Sequence, residues 1–375
     1  MKSKFFLIFI VLLSIGCKNN RDYINIHNRD FISIMNIVDS ISIVPLETTD
    51  NCLINVISKV IPYKDRYYIF DSREHRILCF DNTGKYLFKY DKKGNGHDEY
   101  TYLDDFAIDR INEQIILLVP FGFVLYLDME CKFIAKTKLP SECLAYHGVN
   151  VLNQDTLVFH SLSHDYMVLY YSKSENKIIS KYYPQDDLAF YYSDERLWNY
   201  NGQLYYNPNF SNGVDVLSAN GHEEVFAWDF GSDNNKDSQI NELKTDLKKG
   251  RVTLEDMVVN KGRYVDYLLL SNYETDRYRI TILGKEEQDK LNYLKLFFDK
   301  KENKSIVFSE TVEGIRPYPV SYYDNLMIMF NVEEKYHNYL KPFTEEVLSE
   351  RSRKIVQSHR QDEDNPLLVL HHLKI

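Results

Sequence analysis

Short apolar runs broken by polar turns recur along this chain, too closely spaced for helices, and they predict strands joined into hairpins. Ile69-Phe70 is followed by Ile77-Leu78-Cys79-Phe80, a polar Asp81-Asn82-Thr83-Gly84-Lys85, and then Tyr86-Leu87-Phe88-Lys89. Shifted by 47 residues, the same order returns without a gap. Ile116-Leu117 leads to Val124-Leu125-Tyr126-Leu127, Asp128-Met129-Glu130-Cys131-Lys132 and Phe133-Ile134-Ala135-Lys136. Each copy reads as strand, tight turn, strand, with an Asp suited to hydrogen-bond the turn backbone. Weaker copies start at Leu169-Tyr170-Tyr171, Val216-Leu217 and Leu296-Phe297-Phe298, which makes five hairpins of one type.

A sixth unit can be assembled from the two chain ends. Ser40-Ile41-Ser42-Ile43-Val44-Pro45 is an isolated opening strand and Pro366-Leu367-Leu368-Val369-Leu370 a closing one. Pairing them closes a ring and removes the exposed edge of an open array. The expected fold is therefore all-β: a six-bladed β-propeller with its N-terminal strand closing the last blade. Residues 38–375 allow about 56 residues per blade, more than the ~40–50 of common propeller repeats. Two inserted helices take up the excess. One covers Ser238–Lys249 and stops at Gly250, a glycine C-terminal stop; the other runs from near Thr344, placed as an N-cap, to about Gln357. Seven blades of about 48 residues also fit the count.

Composition narrows the classes. The 375 residues are 44% hydrophobic and 27% charged, which excludes disordered and low-complexity chains. Thirty Tyr and 21 Phe reinforce the strand reading. A net charge of −10 argues against a nucleic-acid partner, because phosphate recognition needs a basic face.

At the N-terminus, Lys2 and Lys4 precede nine apolar residues, Phe5 to Leu13, too few to span a bilayer. Gly16-Cys17 resembles a bacterial lipobox, with Ser14 where an aliphatic residue is usual. The expected organisation is a signal peptide over 1–16, a lipidated tether over 17–37 beginning at Cys17, and the propeller over 38–375. Loss of Lys2 and Lys4 takes the mature charge to −12, so the membrane is contacted through the anchor only. The expected address is the bacterial cell envelope, as an outer-membrane lipoprotein on either its periplasmic or its surface face. Cys52, Cys79, Cys131 and Cys143 make an even set in an exported chain. Cys79 falls in a strand-like run and no CxxC occurs, so free or weakly paired thiols are expected.

The stretch Phe88-Lys89-Tyr90-Asp91-Lys92-Lys93-Gly94-Asn95-Gly96-His97-Asp98-Glu99-Tyr100, followed by Asp105-Phe106-Ala107-Ile108-Asp109, is similar to a family signature. It resembles the inter-blade segment of six-bladed β-propeller lipoproteins of Gram-negative envelopes (NHL/TolB-like propellers). Their pattern is Gly-x-Gly-Pro-Gly-Glu-Tyr, a spacer, then Asp-Phe-x-Ile-Asp. Ile43-Val44-Pro45-Leu46-Glu47-Thr48 and Asp364-Asn365-Pro366 resemble the same family, while His97 and Asp98 depart from it. The resemblance implies six blades and an envelope address, and little about activity, since most members have none assigned.

Candidate chemistry is sparse. Gly94-Asn95-Gly96 lacks the third glycine and following helix of a dinucleotide loop. A calcium loop from Asp91 fails, with Lys93 third and Tyr102 twelfth. Gly94, Gly96, Glu99 and Tyr100 therefore read as a structural inter-blade loop in which the Glu99 carboxylate accepts backbone N–H groups. His160 and His164 flank a hairpin loop rather than share a helix face, and His371-His372 point to opposite sides of a strand. No GxSxG, HExxH or P-loop signature appears, so no catalytic residue, metal or cofactor is assigned. Asp105, Asp109 and His147 lie at or near innermost strands and are axial-site candidates. Aromatic runs at Phe190-Tyr191-Tyr192, Trp198-Asn199-Tyr200 and Tyr205-Tyr206 make Trp198, Tyr200, Tyr205 and Tyr206 ligand-binding candidates, against the alternative that they fill the core between blades. The expected function is a binding module for an envelope protein, peptide or glycan. The alternatives are a metal-dependent hydrolase or lyase with an axial active site, and a structural assembly partner.

Overall fold

The computed structural model describes residues 23–161, 164–184, 196–252, 265–287, 290–330, 346–360 and 362–375. After the opening strand β1 (Val38–Pro45) come β2 (Ile57–Tyr63), β3 (Arg66–Asp71), β4 (Arg76–Asp81) and β5 (Tyr86–Tyr90), which form blade 1. Blade 2 is β6 (Asp105–Asp109), β7 (Gln114–Val119), β8 (Phe123–Asp128) and β9 (Phe133–Lys138); blade 3 is β10 (Gly148–Val151), β11 (Thr156–His160), β12 (Tyr166–Ser172) and β13 (Lys177–Pro184). Blade 4 is β14 (Leu197–Tyr200), β15 (Gln203–Tyr206), β16 (Gly213–Ser218) and β17 (Gly221–Ala227). Blade 5 is β18 (Leu268–Glu274), β19 (Tyr278–Glu287), β20 (Lys290–Asp299) and β21 (Lys304–Phe308). Blade 6 takes β22 (Ser321–Tyr323), β23 (Leu326–Phe330) and β24 (Leu367–Leu373), with β1 as its outer strand. The count is six, not seven.

Burial explains the strand types. Middle strands such as β7 are apolar on both faces because a blade is covered by a neighbour on each side, whereas outer β13 alternates exposed and half-buried positions. The 47-residue repeat is the hairpin of each blade's third and fourth strands. Asp81 Oδ1 accepts the Thr83 and Lys85 N–H groups at 2.8 and 3.0 Å; Asp128 Oδ1 accepts those of Glu130 and Lys132 at 2.8 and 2.9 Å.

The ring closes as β1 pairs antiparallel with β24, Ile43 opposite Val369 and Val44 opposite Leu368. Buried Asn365 locks the seam: its Nδ2 donates to the Glu47 and Cys52 carbonyls at 2.7 and 2.8 Å, and its Oδ1 accepts the Ile54 N–H at 2.8 Å. That is the physical content of the Asn-Pro ahead of the closing strand.

Residues 23–37, expected as the distal part of a tether, are instead strapped to the ring. Ile24 N–H donates to the Asp229 carbonyl at 2.7 Å, and Asp30 exchanges bonds with Val307 of β21. Ile34 N–H donates to Glu313 at 3.0 Å. Ile26, Ile34 and Ile37 are fully buried, and that burial outweighs the polar character of the segment. Residues 1–16, expected as a signal peptide, and Cys17 lie outside the described residues.

Helix α1 (Asp237–Lys248) ends ahead of Gly250, whose φ is +61°. Helix α2 (Glu350–Ser358) starts later than expected because Ser349 takes the capping role, its hydroxyl accepting the Ser352 N–H at 3.2 Å; Thr344 lies outside the described residues. Cys52, Cys79, Cys131 and Cys143 are all buried free thiols, and burial pushes the Cys79 and Cys143 thiols up to about 12. No helix among the described residues is long and apolar enough to cross a membrane.

Four antiparallel strands per blade give the ring two unlike faces. On the lower face lie tight turns such as Lys64-Asp65 and Asn201-Gly202, each with two positive φ values that match the strand twist. The upper face, where the inner strands begin, carries the blade-to-blade connections and both helices.

Candidate functional site

The first strands of the six blades surround a cavity of about 1020 Å3 along the ring axis. On the side of blades 1 to 3 its wall is charged. Lys59 of β2 donates from Nζ to Asp105 Oδ1 and to the Phe106 carbonyl, both at 2.8 Å, while Asp105 Oδ2 accepts the Val149 N–H at 2.9 Å. One carboxylate thus ties three consecutive blades. Beside it, at the upper mouth, His147 Nδ1 lies 2.5 Å from Asp104 Oδ2. At the lower mouth Arg110 stacks over Tyr323, 4.4 Å from its centroid. His160, paired with Gly148 at the start of β10, is 4% exposed. Burial, with the charges of Arg196 and His147 behind it, pushes its imidazole down to about 3, and Nε2 has no partner among the described residues.

On the side of blades 4 to 6 the wall is built of rings. Trp198 of β14, 7% exposed, stacks on Tyr205 at 5.6 Å and 12°. Tyr273 of β18, 4% exposed, stacks on Tyr322 at 4.3 Å and 20°. Neither Trp198 Nε1 nor Tyr273 OH has a partner among the described residues. Burial, then the nearby Asp324 charge, raises the Tyr273 phenol well above its ordinary value, so it stays protonated. At the upper mouth Tyr293 and Tyr318 meet edge to face at 5.6 Å and remain 41% and 51% exposed. Asn150, Asn199 and Ser271 add short polar groups to the lining.

The residues singled out from the sequence are separated by this geometry. Asp105, His147 and Trp198 line the cavity. Asp109, four residues beyond Asp105 on the same strand, does not. Fully buried at the lower face, it accepts the Ile111 and Asn112 N–H groups at 3.1 and 3.0 Å and the Lys173 ammonium at 2.9 Å. Burial alone would raise its carboxyl, but the bonds from Asn112 and Lys173 outweigh that and hold it below the ordinary range. Asp109 locks a turn between blades 2 and 3. Tyr205 lies behind Trp198, and Tyr206 packs against Tyr183 and His160. Tyr200 is at the lower face, its hydroxyl donating to Asp276. Phe190, Tyr191 and Tyr192 lie outside the described residues.

In the inter-blade loop, Glu99 Oε2 accepts the Gly96 N–H at 2.7 Å, and a Cβ on Gly94 would sit 2.0 Å from that oxygen. Tyr100 donates to the His75 carbonyl at 2.6 Å, and Lys136 of the next blade donates to the Glu99 carbonyl at 2.6 Å. The loop is a lock between blades 1 and 2. His164 stacks on Tyr146 at 4.5 Å, His372 Nε2 lies 3.0 Å from Ser42 Oγ, and His371 is fully buried, its imidazole pushed down to about 4. Among the described residues no three His, Cys, Asp or Glu side chains meet as a metal site.

Lys59, Tyr273, Asn150 and Asn199 were not singled out from the sequence. Their place on the axis depends on ring closure, and no local spacing marks it.

A family model described as Domain of unknown function (DUF4934) matches residues 23–372. No curated protein matches the chain. Among solved structures, a "Putative exported protein" from Bacteroides fragilis NCTC 9343 is similar with a TM-score of 0.74 at 16% identity, over 93% of this chain and 98% of that one. A DUF4221 family member from Bacteroides vulgatus ATCC 8482 has a TM-score of 0.53 at 7% identity, over 90% and 97% respectively. At these identities the likeness is one of fold.

Proposed function

The chain belongs to the family described as Domain of unknown function (DUF4934), and from that premise we propose that it is a lipid-anchored envelope protein whose propeller acts as a binding module. The ligand sits in the axial funnel, reached from the loop-bearing upper face. One observation carries the reading: a cavity of ligand size whose carboxylates are already engaged with other parts of the protein. Asp105 is held by Lys59 and the Val149 N–H, and Asp104 by His147. A general acid or base has to reach a substrate proton, and these carboxylates reach other blades instead. What the wall leaves open is ring surface and short polar side chains such as Asn150, Asn199 and Ser271, which suit recognition.

The address rests on Lys2, Lys4, the apolar stretch after them and Gly16-Cys17, an arrangement similar to that of lipoprotein signals of Gram-negative envelope propellers. The exported description of the Bacteroides fragilis protein of like fold supports it. Labelled palmitate should enter the full chain and be lost in Cys17→Ser together with its membrane fractionation; retention of both would overturn the anchor. For binding, the full-length protein in detergent is compared with Asn150→Trp, which fills the funnel. Loss of envelope peptide and glycan capture on plugging is expected, and equal capture by both proteins removes the funnel from the reading.

A further inference from the structure

The two faces of the ring expose different chemistry. At the lower face the inner turns are polar, as at Lys64-Asp65, Asn201-Gly202 and Asp324-Asn325, with Ile111 as their exposed large apolar side chain. At the upper face, exposed apolar and aromatic side chains surround the funnel mouth. Tyr102, Phe121, Leu144 and Tyr166 stand over blades 1 to 3, and Tyr293 and Tyr318 over blades 5 and 6; they are 36% to 65% exposed. Building on the lipid-anchored reading above, we infer that the upper face is a membrane-docking surface, whose rings and Leu144 enter the headgroup region of a phospholipid bilayer.

The point where the chain leaves the ring argues for that occupant. Tyr23 packs on Gly231, and Ile24 N–H donates to the Asp229 carbonyl, both in the connection from blade 4 to blade 5. This connection sits on the upper side of the rim, where Trp228 N–H donates to the carbonyl of Asn212 in the β15–β16 loop at 2.9 Å. A tether over 17–37 would extend to about 70 Å and let the ring turn any face to the bilayer. The strap takes up residues 23–37. From Cys17 to Tyr23 only six Cα-to-Cα steps remain, about 20 Å at full extension. The anchor therefore holds down the upper rim.

The exposed side chains are also presented by a pinned backbone. Phe121 tips the β7–β8 turn, where Gly122 N–H donates to the Val119 carbonyl at 3.1 Å. Ala145 N–H donates to the Pro120 carbonyl and Leu139 N–H to the Gly122 carbonyl, both at 2.8 Å. Tyr102 lies between His75 of blade 1 and Phe121 of blade 2, with ring centroids 3.8 and 6.3 Å away. Leu144 rests on the same turn, since a Cβ on Gly122 would come within 2.9 Å of its Cδ2. Grouped exposed apolar side chains mark contact surfaces, and Tyr and Phe suit a boundary that is wet on one side and apolar on the other. Contact of this kind needs no basic patch. The mature charge of −12 argues against attraction to anionic headgroups, but it does not oppose insertion of neutral rings among zwitterionic ones. The funnel then opens onto the headgroup layer, and its ligand is met at the membrane surface.

The test places one reporter on each face. Full-length protein purified from membranes is reconstituted into phosphatidylcholine vesicles, with or without lipid brominated near the headgroup end of its acyl chains, which quenches nearby indoles. Phe121→Trp and Ile111→Trp change exposed side chains, and the buried Trp198 and Trp228 of the parent give the background. Flotation with the vesicles reads the anchor separately. Phe121→Trp should lose about half of its added emission in brominated vesicles, because an interfacial side chain sits about 5–10 Å deep. Ile111→Trp should lose none. Flotation with Phe121→Trp unquenched, or with both reporters quenched alike, overturns the docked face, leaves the anchor standing and assigns the rim to a protein partner. Protein that does not float overturns the anchor and this inference with it.

Discussion

The two halves of the axial wall spend their polar groups differently. Across blades 1 to 3 stand the sequence candidates Asp105 and His147 with their partners Lys59 and Asp104, and each is consumed by another part of the same protein. Blades 4 to 6 present the aromatic residues Trp198 and Tyr273, whose side-chain N–H and O–H are unpaired among the described residues and sealed within the wall. Charge here holds blades in register, and the other half of the wall offers ring surface and short polar side chains. A search for function by titratable residues alone therefore lands on the structural half.

That contrast is broken most forcefully at Asp105. Asp105→Ala leaves the Lys59 ammonium and the Val149 N–H without their shared partner, and should destabilise the protein by about 3 kcal/mol in urea unfolding. Replacing both partners with apolar residues, as in Lys59→Met with Asp105→Leu, should recover most of that loss. Ligand capture by the double variant should match the parent. Capture that falls with the charges would mean the charged half also binds.

Acid provides the next test. The folded-state pKa of His160 is depressed to about 3, against about 6.5 unfolded. The unfolded chain therefore takes up a proton that the folded protein refuses. Stability is full above pH 6.5 and falls as the pH drops toward 3, with a slope of up to about 1.4 kcal/mol per pH unit. His371, depressed to about 4, adds a second term between pH 6.5 and 4. Urea midpoints at pH 7.5, 5.5 and 4.5 should decline, and His160→Gln should flatten the decline while leaving the His371 share. An unchanged slope in His160→Gln would place the acid sensitivity elsewhere.

Local pattern made much of the fold legible. The Asp-led turns at 81–85 and 128–132 bond their own backbone, so their signal is contained in five residues. Even there, one letter depends on distant chain. Gly84 and Cys131 occupy the same turn position with φ of +89° and +58°, yet only at Gly84 would a side chain strike another strand, the Pro45 carbonyl 2.0 Å from its Cβ. The strap over 23–37 was hidden for the opposite reason: its isoleucines are spread among polar residues, and the grooves that bury them come from blades 4 to 6. The site was the least legible. Asp105 and Asp109 carry the same side chain on one strand, and only Lys59, 46 residues before Asp105, and Lys173, 64 residues after Asp109, decide which faces the axis and which locks a turn.

The smallest expected effects separate the ring half of the wall from aromatics that merely neighbour it in sequence. Trp198 and Tyr200 are two positions apart on β14, and a pattern of aromatic residues treats them alike. Trp198→Phe retains the stack on Tyr205 and should cost about 1 kcal/mol of stability while weakening capture. Tyr200 instead donates to Asp276, which Asn325 Nδ2 approaches at 2.5 Å, so its hydroxyl belongs to a lower-face bridge across blades 4, 5 and 6. Since that bridge is solvated, Tyr200→Phe should cost about 0.5 kcal/mol and leave capture as it was. Both changes lie on one strand, so a calorimetric comparison of the pair tests position on the wall, with the ring volume that Trp198→Phe also removes allowed for. Equal losses of binding would mean that the lower face, and not the axial funnel, holds the ligand.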